Sequence, residues 1–266
     1  MYTLSIITVG MNHLSYLKAL LHSIFKENTP QTSFEMIYVD NCSTDGSVEF
    51  ISQNYPEVKI IKNTIPLGFG ENNNKGVFAS TGKYVAIINP DIVLMKDSLD
   101  KLLQCMEQNP QAGIVVPQLL NPDHSIQYSV RGFISLKALF ARIISKGKDN
   151  TNNKTVSEYL CKDLNFEKTQ AVDWAIGAAL FMSKNTYAEL GGFDLDYFLY
   201  MEDEDICLRC WKMRKPVIYY PDAKMIHNHL RASAKLGKKT LLHVKSMCTF
   251  FKKHGFSIKN PKTDIK

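Results

Sequence analysis

The sequence predicts an α/β domain built on a doubly wound, mainly parallel sheet, and three observations lead there. Short β-branched apolar runs alternate with helically spaced apolar residues through the first half of the chain, the pattern of successive βαβ units. The runs end on polar or glycine-rich turns at Asp40, at Gly68 and at Asp91, where ligands of such sheets bind. With 266 residues and 45% hydrophobic content, the chain can bury a full core.

The elements follow in order. Leu4 to Val9 reads as a strand, and Leu14, Leu17, Leu20, Leu21 and Ile24 then recur at helical spacing. Met36 to Val39 is the next strand; Asn41, Ser43, Asp45 and Gly46 supply turn chemistry after it. Val58 to Ile61 repeats the strand signal. The turn Leu67-Gly68-Phe69-Gly70 opens a helix ending near Thr81-Gly82, and Tyr84 to Ile88 is a buried strand running into Asn89-Pro90-Asp91. Between Val116 and Arg131 the turn Asn121-Pro122-Asp123 predicts a hairpin. Leu136 to Ser145 reads as an amphipathic helix, and Asp149 to Lys154 as an exposed, mobile loop. Val172 to Phe181 resumes the core, Ser183 caps a short helix ending at Gly191-Gly192, and Asp203 to Met213 is a further helix. A strand over Val217 to Tyr220 precedes the last helix, Ala234 to His254, basic on one side and apolar through Leu241, Leu242, Val244, Met247, Phe250 and Phe251. The chain divides into one large domain over 1–232, with halves of about 1–115 and 116–232, and a basic C-terminal helix and tail over 233–266.

The net charge of +6 comes largely from late lysines such as Lys245, Lys252, Lys253 and Lys262. It favours anionic partners, but no basic and aromatic module for nucleic acid is present. Six scattered cysteines, with no leader-like segment ahead of them, read as reduced thiols in the cytoplasm. Cys207 and Cys210 lie within a helical pattern without a second pair, which makes them buried thiols rather than metal ligands. No apolar run approaches the ~20 residues that cross a bilayer, so any membrane contact is peripheral, at the inner face of the cell membrane.

Several residues could carry chemistry, each against a structural alternative. Asp40 can accept hydrogen bonds from a base or ribose, or close its own turn. Gly68-Phe69-Gly70 permits close backbone approach to an anion at a helix start, without the third glycine of a dinucleotide fingerprint, where Asn73 stands. Asp91, fixed behind Pro90, can hold a hard divalent cation, or belong to an ordinary turn. Glu202-Asp203-Glu204-Asp205 compensates a helix dipole or, where like charges raise one carboxyl, supplies a general base, for which Asp203 is the choice. His227 and His229, two apart, share a face if extended, and one of them can reach the metal. Trp174 is a wall aromatic or a platform for a sugar ring.

In order along the chain, Ser5 to Val9, Val39 to Ser47, Asn63 to Gly76, Ile88 to Asp91, Asp173 to Ala178, Gly191 to Asp194, Glu202 to Asp205 and His227 to Ser233 resemble the family 2 glycosyltransferases of GT-A fold, especially rhamnosyltransferase-like bacterial members. The resemblance implies inverting transfer of a sugar from a nucleoside-diphosphate donor, dTDP-rhamnose or a UDP-hexose, to a glycan or lipid-linked glycan in cell-surface polysaccharide synthesis. It implies donor contacts at Thr8, Val9, Asp40, Asn41, Gly68, Phe69, Asn73, Asn89 and Asp91, and acceptor contacts at Trp174, Gly177 and Glu202. Asp203 would be the base. Asp91 with His227, or His229 in its stead, would hold Mg²⁺ or Mn²⁺. Two departures stand out: Asn89 occupies the first acidic position of a D-x-D motif, and Leu230-Arg231-Ala232 replaces a glycine-rich stretch. The rivals are a sugar-nucleotide nucleotidyltransferase and an inactive carbohydrate-binding module. The C-terminal helix is expected to pack on the domain, with an anionic membrane surface as its alternative partner, and an oligomer is compatible with the sequence.

Overall fold

The computed structural model describes residues 2–149, 151–228, 238–256 and 258. Its centre is a sheet of nine strands among these residues. The first half contributes β1 (Leu4–Gly10), β2 (Phe34–Asp40), β3 (Lys59–Lys62) and β4 (Tyr84–Ile88), all parallel, in the order β3-β2-β1-β4. Between them run α1 (Leu14–His22), continued by a π-helical turn Ser23–Glu27, then α2 (Ser47–Asn54) and α3 (Phe69–Phe78). Ile6, Ile7, Met36, Ile37, Val85 and Ile87 are buried in the central strands, because helices cover a parallel sheet and leave no polar face to alternate with.

Beyond β4 the sheet becomes mixed. β5 (Ile92–Leu94), α4 (Ser98–Gln108) and β6 (Ile114–Leu120) follow Asp91. The apolar segment expected over Val172 to Phe181 is three strands: β8 (Gln170–Val172), β9 (Trp174–Ala175) and β10 (Ala179–Ser183). β10 inserts antiparallel between β4 and β6, and β11 (Val217–His227) runs parallel to β6 with antiparallel β5 and β8 beside it. Six of the nine strands therefore point the same way, and both halves of the chain share one sheet.

Two expectations need correction. The strand expected over Val217 to Tyr220 does not turn there: it continues through an irregularity between Tyr220 and Lys224 to His227. The hairpin expected between Val116 and Arg131 shrinks to a tight turn bridged by Leu120 and Ile126; β7 (Val130–Arg131) pairs instead with β9. Backbone polar groups in a buried segment must find partners, and the edge of β9 supplies them.

The second half also carries α5 (Leu136–Ile144), α6 (Lys154–Tyr159), which already begins at the end of the loop expected over Asp149 to Lys154, α7 (Lys184–Glu189) and α8 (Glu202–Lys212). Ser183 caps α7 by accepting from the Thr186 amide, and Gly191 and Gly192 turn the chain with φ of +75° and +73°. The last helix, α9 (Lys238–His254), buries Ser246, Phe250 and Phe251 and shares a small apolar cluster with Ala138, Tyr197, Met201 and Leu208. Its C-terminal half thus packs on the domain. Among the described residues, no helix is long and apolar enough to cross a membrane.

Candidate active site

Parallel pairing aligns the C-terminal ends of β1, β2 and β4. Val9 lies opposite Val39, Gly10 opposite Asp40, and Ile7 opposite Ile87, so Thr8, Val9, Asp40 and the Asn89-Pro90-Asp91 turn share one sheet edge. Thr8 is buried, and its hydroxyl has no hydrogen-bond partner among the described residues. Both carboxylate oxygens of Asp40 accept from the Ser43 amide, 3.2 Å each, so the acid closes its own turn. Asn41 exchanges two hydrogen bonds with the Leu67 backbone, at 3.0 and 2.8 Å, and holds the Asp40 turn against the glycine-rich one. Asn73 is buried and donates to the Phe69 carbonyl at 2.9 Å, within its own helix.

The glycine-rich turn meets the second half directly. The Phe69 amide donates to the Phe198 carbonyl at 2.9 Å, and a Cβ on Gly68 would stand 2.6 Å from that oxygen, so residue 68 has no room for a side chain.

Asp91 and His227, far apart in sequence, meet because β5 pairs with the end of β11: His227 lies opposite Ile92, the residue after Asp91. The Asn228 amide closes the contact by donating to the Asp91 carbonyl at 2.9 Å. His227 Nε2 stands 3.5 Å from Asp91 Oδ2, and His227 Nδ1 lies 2.6 Å from Gln127 Oε1. Because the Gln127 amide group donates to Asn121 Oδ1, its oxygen is the acceptor, which assigns the imidazole proton to Nδ1 and turns Nε2 toward Asp91. Asp91 Oδ1 is buried with no hydrogen-bond partner among the described residues. An unmatched carboxylate oxygen beside an oriented imidazole fits Mg²⁺ or Mn²⁺, which accept one or two protein ligands and fill the rest of their shell with phosphate and water. No group of three His, Cys, Asp or Glu ligands occurs among the described residues. His229 and the Leu230-Arg231-Ala232 stretch lie outside the described residues.

A short bridge links this pair to the acids of α8. The Asn89 amide donates to the Ala178 carbonyl at 2.9 Å, and next to Ala178 the Gly177 amide donates to Asp203 Oδ2, also at 2.9 Å. Asp203 Oδ1 accepts from the Glu204 amide at 2.9 Å. A Cβ built on Gly177 would lie 3.3 Å from Asp203 Cβ and 3.4 Å from the Phe69 ring, so these three residues line one spot. The chain enters α8 through Tyr200 and Met201, both at φ +71°, a left-handed turn that sets the acids against the β9–β10 connection.

The four acids have four environments. Glu202 is buried with Oε2 unpartnered among the described residues, and burial together with the Asp203 charge pushes it up to about 8. Glu204 is buried, accepts from the Ile134 amide at 2.6 Å, and is raised well above the usual carboxylate range by burial. Asp205 is buried between Arg209 (2.6 Å), His254 of α9 (2.7 Å) and the Tyr197 hydroxyl (3.3 Å). Asp203 alone keeps solvent contact. Burial, rather than the like charges beside it, raises its carboxyl above the ordinary aspartate value, against the Gly177 and Glu204 amides and the Arg131 charge, which pull it down.

Arg131, which no local pattern marks, lies between the rings of Tyr159 and Trp174, 5.8 and 5.7 Å from their centroids. Trp174 is buried, and its indole N–H donates to the Gly132 carbonyl at 2.8 Å, so it forms the wall behind Arg131 rather than an open platform. Cys207 and Cys210 are buried in α8, and burial raises both thiols.

A mixed, mostly parallel sheet flanked by helices is the arrangement of the GT-A glycosyltransferase fold. The chain belongs to Glycosyl transferase family 2, whose model matches residues 5–173. That membership sets aside the nucleotidyltransferase alternative. The chain is 28% identical over 212 residues to the N-acetylglucosaminyl-diphospho-decaprenol L-rhamnosyltransferase of Mycobacterium tuberculosis, covering 75% of this chain and 68% of that one. It is also 28% identical over 230 residues to the rhamnosyltransferase WbbL of Escherichia coli K12, covering 84% of this chain and 82% of that one. Among solved structures it superposes on GalNAc-T7 with UDP, GalNAc and Mn²⁺ (TM-score 0.66, 16% identity), covering 91% of this chain but 47% of the other. It also superposes on the Pyrobaculum calidifontis mannosyltransferase with GDP-Man and Mn²⁺ (TM-score 0.64, 16% identity), covering 99% of this chain and 67% of that one.

Proposed function

We propose that this chain is an inverting transferase that moves a sugar from a nucleoside-diphosphate donor, dTDP-rhamnose or a UDP-hexose, to a hydroxyl of a glycan or lipid-linked glycan in cell-surface polysaccharide synthesis. The observation that carries this reading is the Asp203 carboxylate, the one solvent-touching acid of its cluster, held by two backbone amides, one of them from Gly177 beside Ala178, whose carbonyl accepts from the Asn89 amide two residues before Asp91. The names of the similar rhamnosyltransferases support the choice of donor and of a lipid-linked acceptor.

In the proposed reaction Asp203 takes the proton of the acceptor hydroxyl. The oxygen attacks the anomeric carbon, the bond from that carbon to the diphosphate oxygen breaks, and the nucleoside diphosphate leaves on the opposite face. Asp91 and His227 would hold Mg²⁺ or Mn²⁺, which supplies charge neutralisation for the departing diphosphate. Thr8, Val9, Asp40, Asn41 and the Gly68-Phe69 turn would seat the nucleotide, with Asn73 and Asn89 supporting that edge from behind. Gly177 and Glu202 would border the acceptor, and Trp174 would back it through Arg131. Positioning and electrostatic stabilisation would carry most of the rate.

The test is incubation with a panel of nucleotide sugars and Mn²⁺, following nucleoside-diphosphate release by mass spectrometry. Donor-selective release supports transfer; the absence of release from every donor, with and without polyprenyl-linked acceptors, would overturn it.

A further inference from the structure

We infer that α5 is a docking face for an anionic lipid bilayer. This helix is oriented against the usual rule. Its small residues face the protein, with Ala138 and Ala141 at 5% and 6% exposure, while Leu136, Phe140, Ile143 and Ile144 stand 40%, 63%, 62% and 76% exposed. At the turn of an α-helix, those four large side chains fall within one arc of about 100°, a continuous apolar stripe. Isolated exposed apolar residues need no explanation, but a whole helical stripe of them marks an interaction surface.

The charges beside the stripe identify the partner. Lys137, Lys146 and Lys148 are exposed around it, and residues 133–148 contain no Asp or Glu. The next acid, Asp149, is paired with Arg142 at 3.1 Å. An apolar face whose own helix and following turn carry only cations at its rim, with Glu158 of α6 the one exposed acid near Lys137 among the described residues, is complementary to an interface with acyl chains below and anionic headgroups above, where a helix can lie with its apolar side sunk into the boundary. A protein partner or a second copy would need carboxylates to meet the same rim.

The stripe is also in a useful place. The Ile134 amide, just ahead of α5, holds Glu204, and Ala138 and Leu139 pack with Met247, Phe250 and Phe251 of α9. A bilayer under α5 would therefore lie beside the acceptor side of the cleft. The docking face, rather than the basic side of α9, is the membrane element.

The experiment is co-sedimentation of the full chain with vesicles of phosphatidylcholine alone or mixed with phosphatidylglycerol, at low and raised salt. Binding is expected to the phosphatidylglycerol vesicles and to weaken with salt. A triple variant, Phe140→Ser with Ile143→Ser and Ile144→Ser, should bind about tenfold more weakly or worse, as should the charge reversal Lys137→Glu with Lys146→Glu and Lys148→Glu, which leaves the stripe intact. A control pair on α9, Leu241→Ser with Val244→Ser, should bind like the parent. The inference falls if the parent ignores phosphatidylglycerol vesicles, if the α5 variants bind unchanged, if only the α9 pair loses binding, or if the stripe proves to hold a dimer that the serine variant splits. No sugar donor is present, so failure here is separate from failure of the transfer reading.

Discussion

Replacing Asp203 by asparagine removes one proton acceptor and almost no volume. In the folded chain the two carboxylate oxygens accept from the Gly177 and Glu204 amides, 2.9 Å each. Asparagine can meet one of these with its oxygen but turns its NH₂ toward the other, and a buried donor without an acceptor costs ~1–3 kcal/mol. The lost charge acts in the opposite direction, because Asp203 helps to raise both Glu202 and Glu204. With the two effects opposed, stability should move by no more than about 2 kcal/mol in urea denaturation. Turnover should move much further: a general base contributes roughly 10²–10⁴ in rate, equivalent to roughly 3–5 kcal/mol of barrier. Nucleoside-diphosphate release with acceptor present, alongside calorimetric donor titration, reads both sides of the prediction. The expected result is a kcat lower by about 100-fold or more with donor affinity within about threefold. The parent's rate should also rise with pH as the raised Asp203 carboxyl ionises, and the variant should lack that limb. A kcat within about tenfold of the parent, or donor binding lost together with turnover, would refute the assignment.

Asp91→Ala should abolish the dependence of donor affinity on Mn²⁺, and titration curves that remain metal-sensitive would exclude Asp91 as a ligand. Gln127→Leu removes the acceptor that fixes the His227 tautomer and should weaken metal-dependent donor binding by about 10–100-fold; unchanged binding would mean that the tautomer is set elsewhere. For Glu202→Gln the prediction concerns pH. Between 4.5 and about 8 the folded chain keeps a proton on Glu202 that the unfolded chain has released, so this group's contribution to stability falls as pH rises through that window. The glutamine variant should gain on the parent by up to about 1.4 kcal/mol per pH unit there, and parallel stability–pH profiles would count against it. His254→Ala strips one hydrogen bond from the buried Asp205 carboxylate and should cost about 1.5–3 kcal/mol in chemical denaturation; a negligible loss would show that α9 does not brace α8.

What could be read from the sequence was whatever repeats locally. The continuous apolar runs of β1, β2 and β4 and the polar residues at their ends follow from a sheet covered on both faces, and they put Asp40 and Asp91 on one edge before any coordinates. α4 was not expected, although Leu99, Leu102, Cys105 and Met106 carry its helical spacing. β5 has only three residues, too few to show a period, yet its pairing delivers His227 to Asp91. A continuous apolar run does not encode direction, so the antiparallel insertion of β10 had no signature. Gln127 and Arg131 act through partners 100 and roughly 70 residues away, and spacing is blind at that range. Trp174 was open between wall and platform, a choice decided by the Gly132 carbonyl that takes its N–H.

The run of four acids at the start of α8 shows why composition alone could not assign it. Dipole compensation favours acids in a first helical turn, and it would treat the four alike. The fold separates them by partner. Asp205 is compensated by Arg209 within α8 and accepts a hydrogen bond from His254, and that bond ties α8 to α9. Glu204 and Glu202 form no such close ion pair and are driven toward the protonated form, which takes two negative charges away from beside Asp203. That leaves Asp203 flanked by two acids with raised pKa values, held by amides that favour its ionised form, and in contact with solvent. Were its neighbours ionised as well, repulsion would drive Asp203 to hold its proton; with them neutral that repulsion is absent and the carboxylate is available as a proton acceptor. The same arrangement explains the position of Arg131, a cation placed to favour the carboxylate without forming a close ion pair that would quench it as a base.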